Sequence, residues 1–120
     1  DASLSWFQRQ CELNAERSLL VFMHHPPLNT GDVFFDSIGL ADRDSFWEMI
    51  KSYPQVKAIG FGHLHRPLEL NKSPWVQGAP STAFAMKKSV DGWDIRTEDA
   101  GYLIWSLSQD EVKTKVLVQG

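Results

Sequence analysis

The sequence predicts an α/β fold in which a βαβ unit is followed by mainly antiparallel strands. Three observations carry this. Two apolar runs, Leu19 to Met23 and Val56 to Phe61, flank a stretch with helical periodicity. Each run leads at once into histidines, His24-His25-Pro26-Pro27 after the first and Gly62-His63-Leu64-His65 after the second. The chain then ends in two further apolar runs, Tyr102 to Leu107 and Val112 to Val118, with Ser108 to Glu111 as a turn between them.

Residues from about 4 to 15 read as a helix, with Leu4, Phe7 and Cys11 on one face, widened by Trp6 and Leu13. Ser5 with Gln8 three residues on forms a candidate capping box. Leu19 to Met23 reads as a strand buried on both faces, as in a parallel pair. Pro26-Pro27 ends regular structure, because neither residue has a backbone N–H to donate. Residues 28 to 41 read as a long loop carrying Thr30-Gly31-Asp32 and Asp36. Loops of this length in compact domains are often functional. Phe46, Met49, Ile50 and Tyr53 then recur at core-facing helical spacing. Asp42, Asp44 and Ser45 are candidate N-caps, Ser45 pairs with Glu48 as a second capping box, and Pro54 stops the helix. Val56 to Phe61 closes the βαβ unit, which places both histidine motifs at one sheet edge. Short strands follow near 67–71 and 74–78, and residues 86–100 read as polar and irregular. Val112, Thr114, Val116 and Val118 alternate with Lys113 and Lys115, as a hairpin with one wet face requires.

A chain of 120 residues with 42% hydrophobic and 22% charged content fits one domain with one modest core. The net charge of -3 and the lack of a Lys/Arg-rich stretch argue against a nucleic-acid polymer as partner. The single cysteine, Cys11, excludes an internal disulfide framework and reads as a small buried hydrophobe. There is no run of roughly 20 apolar residues and no secretory pattern, so a cytoplasmic protein without a membrane partner is expected. The chain lacks an initiator methionine and opens almost directly into a helix, so it is expected to be a single partial domain, residues 1–120, of something larger.

All four histidines lie in the two motifs. Loops at strand ends are where α/β proteins build their sites, and neutral imidazole is a common ligand for transition metals. In extended chain, residues two apart point the same way, so His63 and His65 could face one site, while Gly60 and Gly62 permit close backbone approach. A histidine pair can equally cap a helix or join a core hydrogen-bond network. Trp75 and Trp93 read as pocket wall or core packing, Asp32 and Asp36 as site groups or turn caps, and Arg66 as a phosphate contact or a surface residue.

The segments Val21-Phe22-Met23-His24-His25-Pro26-Pro27-Leu28 and Gly60-Phe61-Gly62-His63-Leu64-His65 resemble the last two metal motifs of the calcineurin-like metallophosphoesterases. The branch they most resemble is the class III cyclic nucleotide phosphodiesterases, as do Asp36 in its loop, Gly78-Ala79-Pro80-Ser81-Thr82, and the stretch from Trp93 to Val118. The resemblance covers nearly the whole chain and matches the C-terminal half of the family's domain. It implies the C-terminal half of a four-layer αββα sandwich holding two divalent metal ions (Mn, Fe or Zn). His24 and His63 would bind one ion and His65 the other. His25 would be the catalytic candidate at the pocket wall, and Arg66 a substrate contact. The family's D-x-H, G-D-x-x-D and G-N-H motifs do not occur in this chain. The site is therefore expected to be partial, binding metal weakly and not turning over alone. The implied parent hydrolyses a small phosphodiester, with a 3′,5′-cyclic nucleotide the leading substrate and other phosphate esters the alternative. A non-catalytic histidine metal-binding module, or one that forms homo-oligomers through the exposed face of a half-domain, is the contrasting expectation.

Overall fold

Leu19 to Met23 and Val56 to Phe61 pair side by side, in parallel, and everything near the histidines is arranged around that pair. In the computed structural model, which describes residues 2–109 and 111–119, the order is α1 (Ala2–Leu13), β1 (Leu19–Met23), α2 (Val33–Ser37), α3 (Arg43–Ile50), β2 (Val56–Phe61), β3 (Leu68–Lys72), β4 (Trp75–Gly78), β5 (Ala85–Ser89), β6 (Gly92–Arg96), β7 (Gly101–Leu107) and β8 (Val112–Val118). A four-stranded sheet runs β1-β2-β4-β3, and β5-β6 and β7-β8 form two separate hairpins. β2 is parallel to both β1 and β4, and β3 is antiparallel to β4. The α/β class and the βαβ unit followed by mainly antiparallel pairing are as the sequence predicts.

Successive residues of β2 face opposite sides of the sheet. On one side Ile59 and Phe61 join Cys11, Phe46 and Ile50 in the core beneath α1 and α3. Phe7 of α1 stacks on Phe46 of α3 with ring centres 5.7 Å apart, and Gln55 donates to the Cys11 carbonyl at 3.0 Å. Cys11 is fully buried, as expected, and burial, helped by the neighbouring Glu12 charge, pushes its thiol pKa up. On the other side Gly60 lies beneath Phe22 and Trp105, and Trp105 meets Phe22 edge-on and lies 6.5 Å from Trp75. Trp105 thus seats the β7–β8 hairpin on the sheet, and Trp75 is packing. No helix among the described residues is long and apolar enough to cross a membrane.

Several sequence expectations are corrected. β1 is not buried on both faces: it is an edge strand among the described residues, and Phe22, on the face that carries Trp105, is 64% exposed. The 28–41 loop contains α2, whose N-cap Asp32 accepts from the Phe34 and Phe35 amides. Residues 86–100 are not irregular: they include most of the β5–β6 hairpin, with Ser89 opposite Gly92. α1 begins before Ser5, so Ser5 is not its cap, and α3 begins after Asp42, which makes no side-chain cap bond, so the Ser45–Glu48 box does not form at its start. In β8, Lys113 and Lys115 are exposed as expected. The alternation then slips at Leu117, which lines a hollow with Thr82 and Tyr102 while Val116 and Val118 are exposed. Part of the predicted turn, Asp110, lies outside the described residues; Ser108 N–H donates to the Glu111 carbonyl at 2.9 Å across it.

Two glycines test this packing. A Cβ on Gly101 would fall 2.3 Å from the Leu117 carbonyl oxygen of the paired strand, which cannot swing aside. A Cβ on Gly60 would meet Phe22 at 2.7 Å, but that ring is half free to move. Gly101→Ala should therefore cost more stability in urea denaturation than Gly60→Ala, at or above the ~1–3 kcal/mol usual for overpacking. The reverse order would contradict the close backbone approach of Gly101 to Leu117 within the β7–β8 pair.

Candidate metal centre

The β1–β2 register ends with Met23 opposite Phe61, and the Gly62 amide donates to the His24 carbonyl at 3.1 Å. β4 extends the same edge: Phe61 lies opposite Gly78, and the Ala79 amide donates to the Phe61 carbonyl at 2.8 Å. Three parallel strands therefore deliver the loops beginning at His24, Gly62 and Ala79 to one place. Pro26 and Pro27 are both buried, which holds the first loop without leaving a buried amide unpaired.

His24, His25 and His63 come together there, each offering a ring nitrogen within 4.8 Å of the others. His63 Nδ1 stands 3.2 Å from His24 Nε2, and the His25 ring centre is 4.6 Å from that of His63. His65 lies outside this triplet and packs against Phe84 at 4.4 Å. The extended-chain view of His63 and His65 does not hold. Both sit at positive φ, 66° and 53°, around a tight turn in which the Leu64 amide donates to the Gly62 carbonyl at 2.7 Å. Left-handed backbone at a non-glycine residue costs of order 1–3 kcal/mol, and such strain clusters at ligand sites. Leu64, fully buried between them, anchors the turn in the core.

His63 Nε2, His65 Nδ1 and Arg66 Nε are buried with no hydrogen-bond partner among the described residues. Burial, and then the proximity of His25, His24 and His65, hold the His63 pKa below its ordinary value, so it favours the neutral, ligand-competent imidazole. Two ligands of one ion at bonds of about 2.0–2.1 Å lie roughly 3.0–3.4 Å apart. The 3.2 Å between His24 and His63 fits that span. The donor set thus suits one borderline metal ion.

No carboxylate joins these rings among the described residues. Asp36 accepts from the Thr30 amide and hydroxyl and from the Gly31 amide, a turn that needs the positive φ of Gly31. Asp32 caps α2 and pairs with Lys88 at 3.2 Å. Both aspartates are structural.

Two further neighbours wall the site: Phe35, which carried no signal in the sequence, and Trp93, one of the two candidate pocket-wall tryptophans. Phe35 of α2 meets His63 and Trp93 in edge-to-face contacts, with ring centres 5.8 Å and 4.9 Å apart. Trp93, on β6, carries the Arg66 guanidinium 5.6 Å from its ring centre and the Lys88 ammonium at 6.0 Å.

No family model matches the chain. Among known proteins it is similar to a probable cyclic nucleotide phosphodiesterase of Colwellia psychrerythraea, 31% identical over 115 residues, which covers 88% of this chain and 43% of that protein. It is 33% identical over 128 residues to the 3′,5′-cyclic adenosine monophosphate phosphodiesterase CpdA of Pseudomonas aeruginosa, covering 97% of this chain and 47% of that one. The corresponding enzyme of Vibrio vulnificus is 29% identical over 118 residues, covering 97% and 43%. The chain thus spans less than half the length of these relatives, and at this identity over nearly all of its own length it belongs to the cyclic nucleotide phosphodiesterase family.

Proposed function

We propose that this chain is a partial domain, the C-terminal part of a cytoplasmic, metal-dependent phosphodiesterase that hydrolyses 3′,5′-cyclic nucleotides. The observation that carries this is the pairing of His63 Nδ1 and His24 Nε2 at 3.2 Å in a family of cyclic nucleotide phosphodiesterases. His24 and His63 hold one divalent ion. His65, with its buried unpartnered Nδ1, is the ligand offered to a second. Bound Mn, Fe or Zn would supply Lewis-acid polarisation of the phosphoryl group and activation of the attacking water. The protein's part is to favour neutral His63 by burial, exclude water behind Phe35 and Leu64, and orient the phosphodiester. His25 stands beside both His24 and His63, placed to exchange a proton with the reacting phosphate oxygens. Arg66 contacts the phosphate. With no carboxylate beside the histidines among the described residues, a second ion would lack oxygen ligands from them, and the chain alone does not turn over.

The first test is zinc or manganese titration of the purified chain by calorimetry. Removal of a partner in a metal's outer shell typically costs 10–100-fold in affinity. His24→Ala and His63→Ala should therefore each weaken binding by more than about 100-fold, with 3′,5′-cyclic AMP left intact by the wild-type chain. Unchanged affinity in both variants would overturn the assignment.

Metal affinity should also fall at acid pH, as proton binding competes with the metal for His63. In the metal-free chain, folded His63 binds its proton more weakly than unfolded His63. Its contribution to stability is whole above about pH 6.5 and is lost as the pH falls from there through its lower folded pKa. Urea midpoints measured from about pH 7.5 to 5 should decline less in His63→Ala than in the wild type.

For the isolated chain, the open edge of β1 favours association with a second copy. Phe22, Trp6 and Phe7 line an apolar groove of about 260 Å³ along that edge. Light scattering should show a mass that rises with concentration, and Phe22→Lys should hold the chain monomeric.

A further inference from the structure

The histidines are not the only unspent groups at the β1–β2–β4 edge. Arg66 follows the second histidine motif directly. Among the described residues no ion pair or hydrogen bond engages its side chain, whose Nε is buried and unpartnered. Its guanidinium is placed by an aromatic ring, 5.6 Å from the centre of Trp93. Lys88, across the hairpin from Trp93, reaches the same ring at 6.0 Å but is neutralised by Asp32 at 3.2 Å. The ring itself is propped by Phe35, which also meets His63 edge-to-face. One cation beside the histidines is thus left without a counter-charge, and it is held by the face of a tryptophan.

We propose that Trp93 is a positioning residue: it holds the Arg66 guanidinium by a cation–π contact so that Arg66 binds the phosphate-ester anion presented to the histidines. The proposal deepens the phosphodiesterase reading and rests on it for the place of the ligand. Its chemistry also predicts anion binding without metal. An arginine fork is matched to phosphate oxygens, and a Trp face is the best partner for its cation. The ring fixes the plane of the fork without consuming its charge, which a carboxylate partner would do. The anion is either the cyclic diester, a monoanion, or the monoester product, a dianion. The two share the recognised group and are separated by the choice of probe.

The test uses the whole chain and calorimetric titration with 3′,5′-cyclic AMP and with 5′-AMP, each with and without saturating Mn²⁺. Arg66→Ala should weaken binding of the recognised nucleotide about tenfold or more. Trp93→Leu should do nearly the same, and Trp93→Phe, which keeps a π face, should recover most of the loss. The double variant Arg66→Ala/Trp93→Leu should bind no more weakly than Arg66→Ala alone, since Trp93 acts only through Arg66. A merely structural Trp93 would add its own loss in the double variant, and that result overturns the proposal. So does normal binding by Arg66→Ala, or no saturable binding of either nucleotide by the wild type. Stronger binding of cyclic AMP assigns the site to the diester, and stronger binding of 5′-AMP to the product. Mn²⁺ affinity measured without nucleotide should be unchanged in all three single variants. Its loss in His24→Ala and His63→Ala is a separate outcome, so the histidine assignment and the Arg66 assignment can fail independently.

Discussion

The parallel register of β1 on β2 is the constraint on which the site depends. Met23 opposite Phe61 puts the next residue of each strand, His24 and Gly62, within one backbone hydrogen bond of each other. A slip of one residue would turn His24 to the other face of the sheet and break the bond that holds the two loops together. β4 joins in the same direction, so the loop starting at Ala79 ends at the same edge. An antiparallel β4 would have carried that loop to the far end of the sheet, away from His63. The buried Pro26-Pro27 pair and the buried Leu64 then keep both histidine loops from drifting after the strands end.

The electrostatic character of the site follows from where the carboxylates are spent. Asp32 and Asp36 are the acids in the neighbouring loop, and both are used to build the turn that starts α2. What remains at the sheet edge is a group of imidazoles, of which His63 is favoured in its neutral form by burial, and one arginine. A neutral ring can be buried without first burying a charge. The chain spans less than half the length of its relatives, and no carboxylate joins the imidazole cluster among its described residues.

The sequence showed the scaffold well and the walls of the site poorly, for reasons visible in particular residues. Val56 to Phe61 is legible because a strand buried on both faces has an unbroken apolar run, and all but Lys57 are indeed buried. β1 has a similar run but lies at the edge, and hydrophobicity alone cannot tell a strand covered within the chain from one left open. The β5–β6 hairpin was missed because Met86-Lys87-Lys88 and Asp94-Ile95-Arg96 are polar enough to resemble loop. The Asp91-Gly92 pair at its tip, with Gly92 at φ 138°, is the signal that could have found it. The bend between His63 and His65 was invisible, because alternation predicts common facing only while the chain stays extended. Trp93 could be weighed as pocket wall or core from sequence; its place against Arg66 depends on a pairing between distant segments.

Phe35 ties these parts into one wall. Its ring is buried in the core, touches His63 on one side and Trp93 on another, and belongs to the short helix that Asp32 caps. The Lys88–Asp32 ion pair also joins the hairpin to α2, but the Lys88 side chain is 72% exposed, and such pairs contribute only ~0–1 kcal/mol. The aromatic contact is the larger link, since edge-to-face pairs add about 0.5–1.5 kcal/mol beyond the area they bury. The hairpin that carries Trp93, and through it Arg66, is therefore registered to the histidines by packing rather than by charge. That coupling is weakly sensitive to salt, whereas the exposed Lys88–Asp32 pair is screened by it. The wall beside the histidines therefore keeps its shape where surface charge is screened.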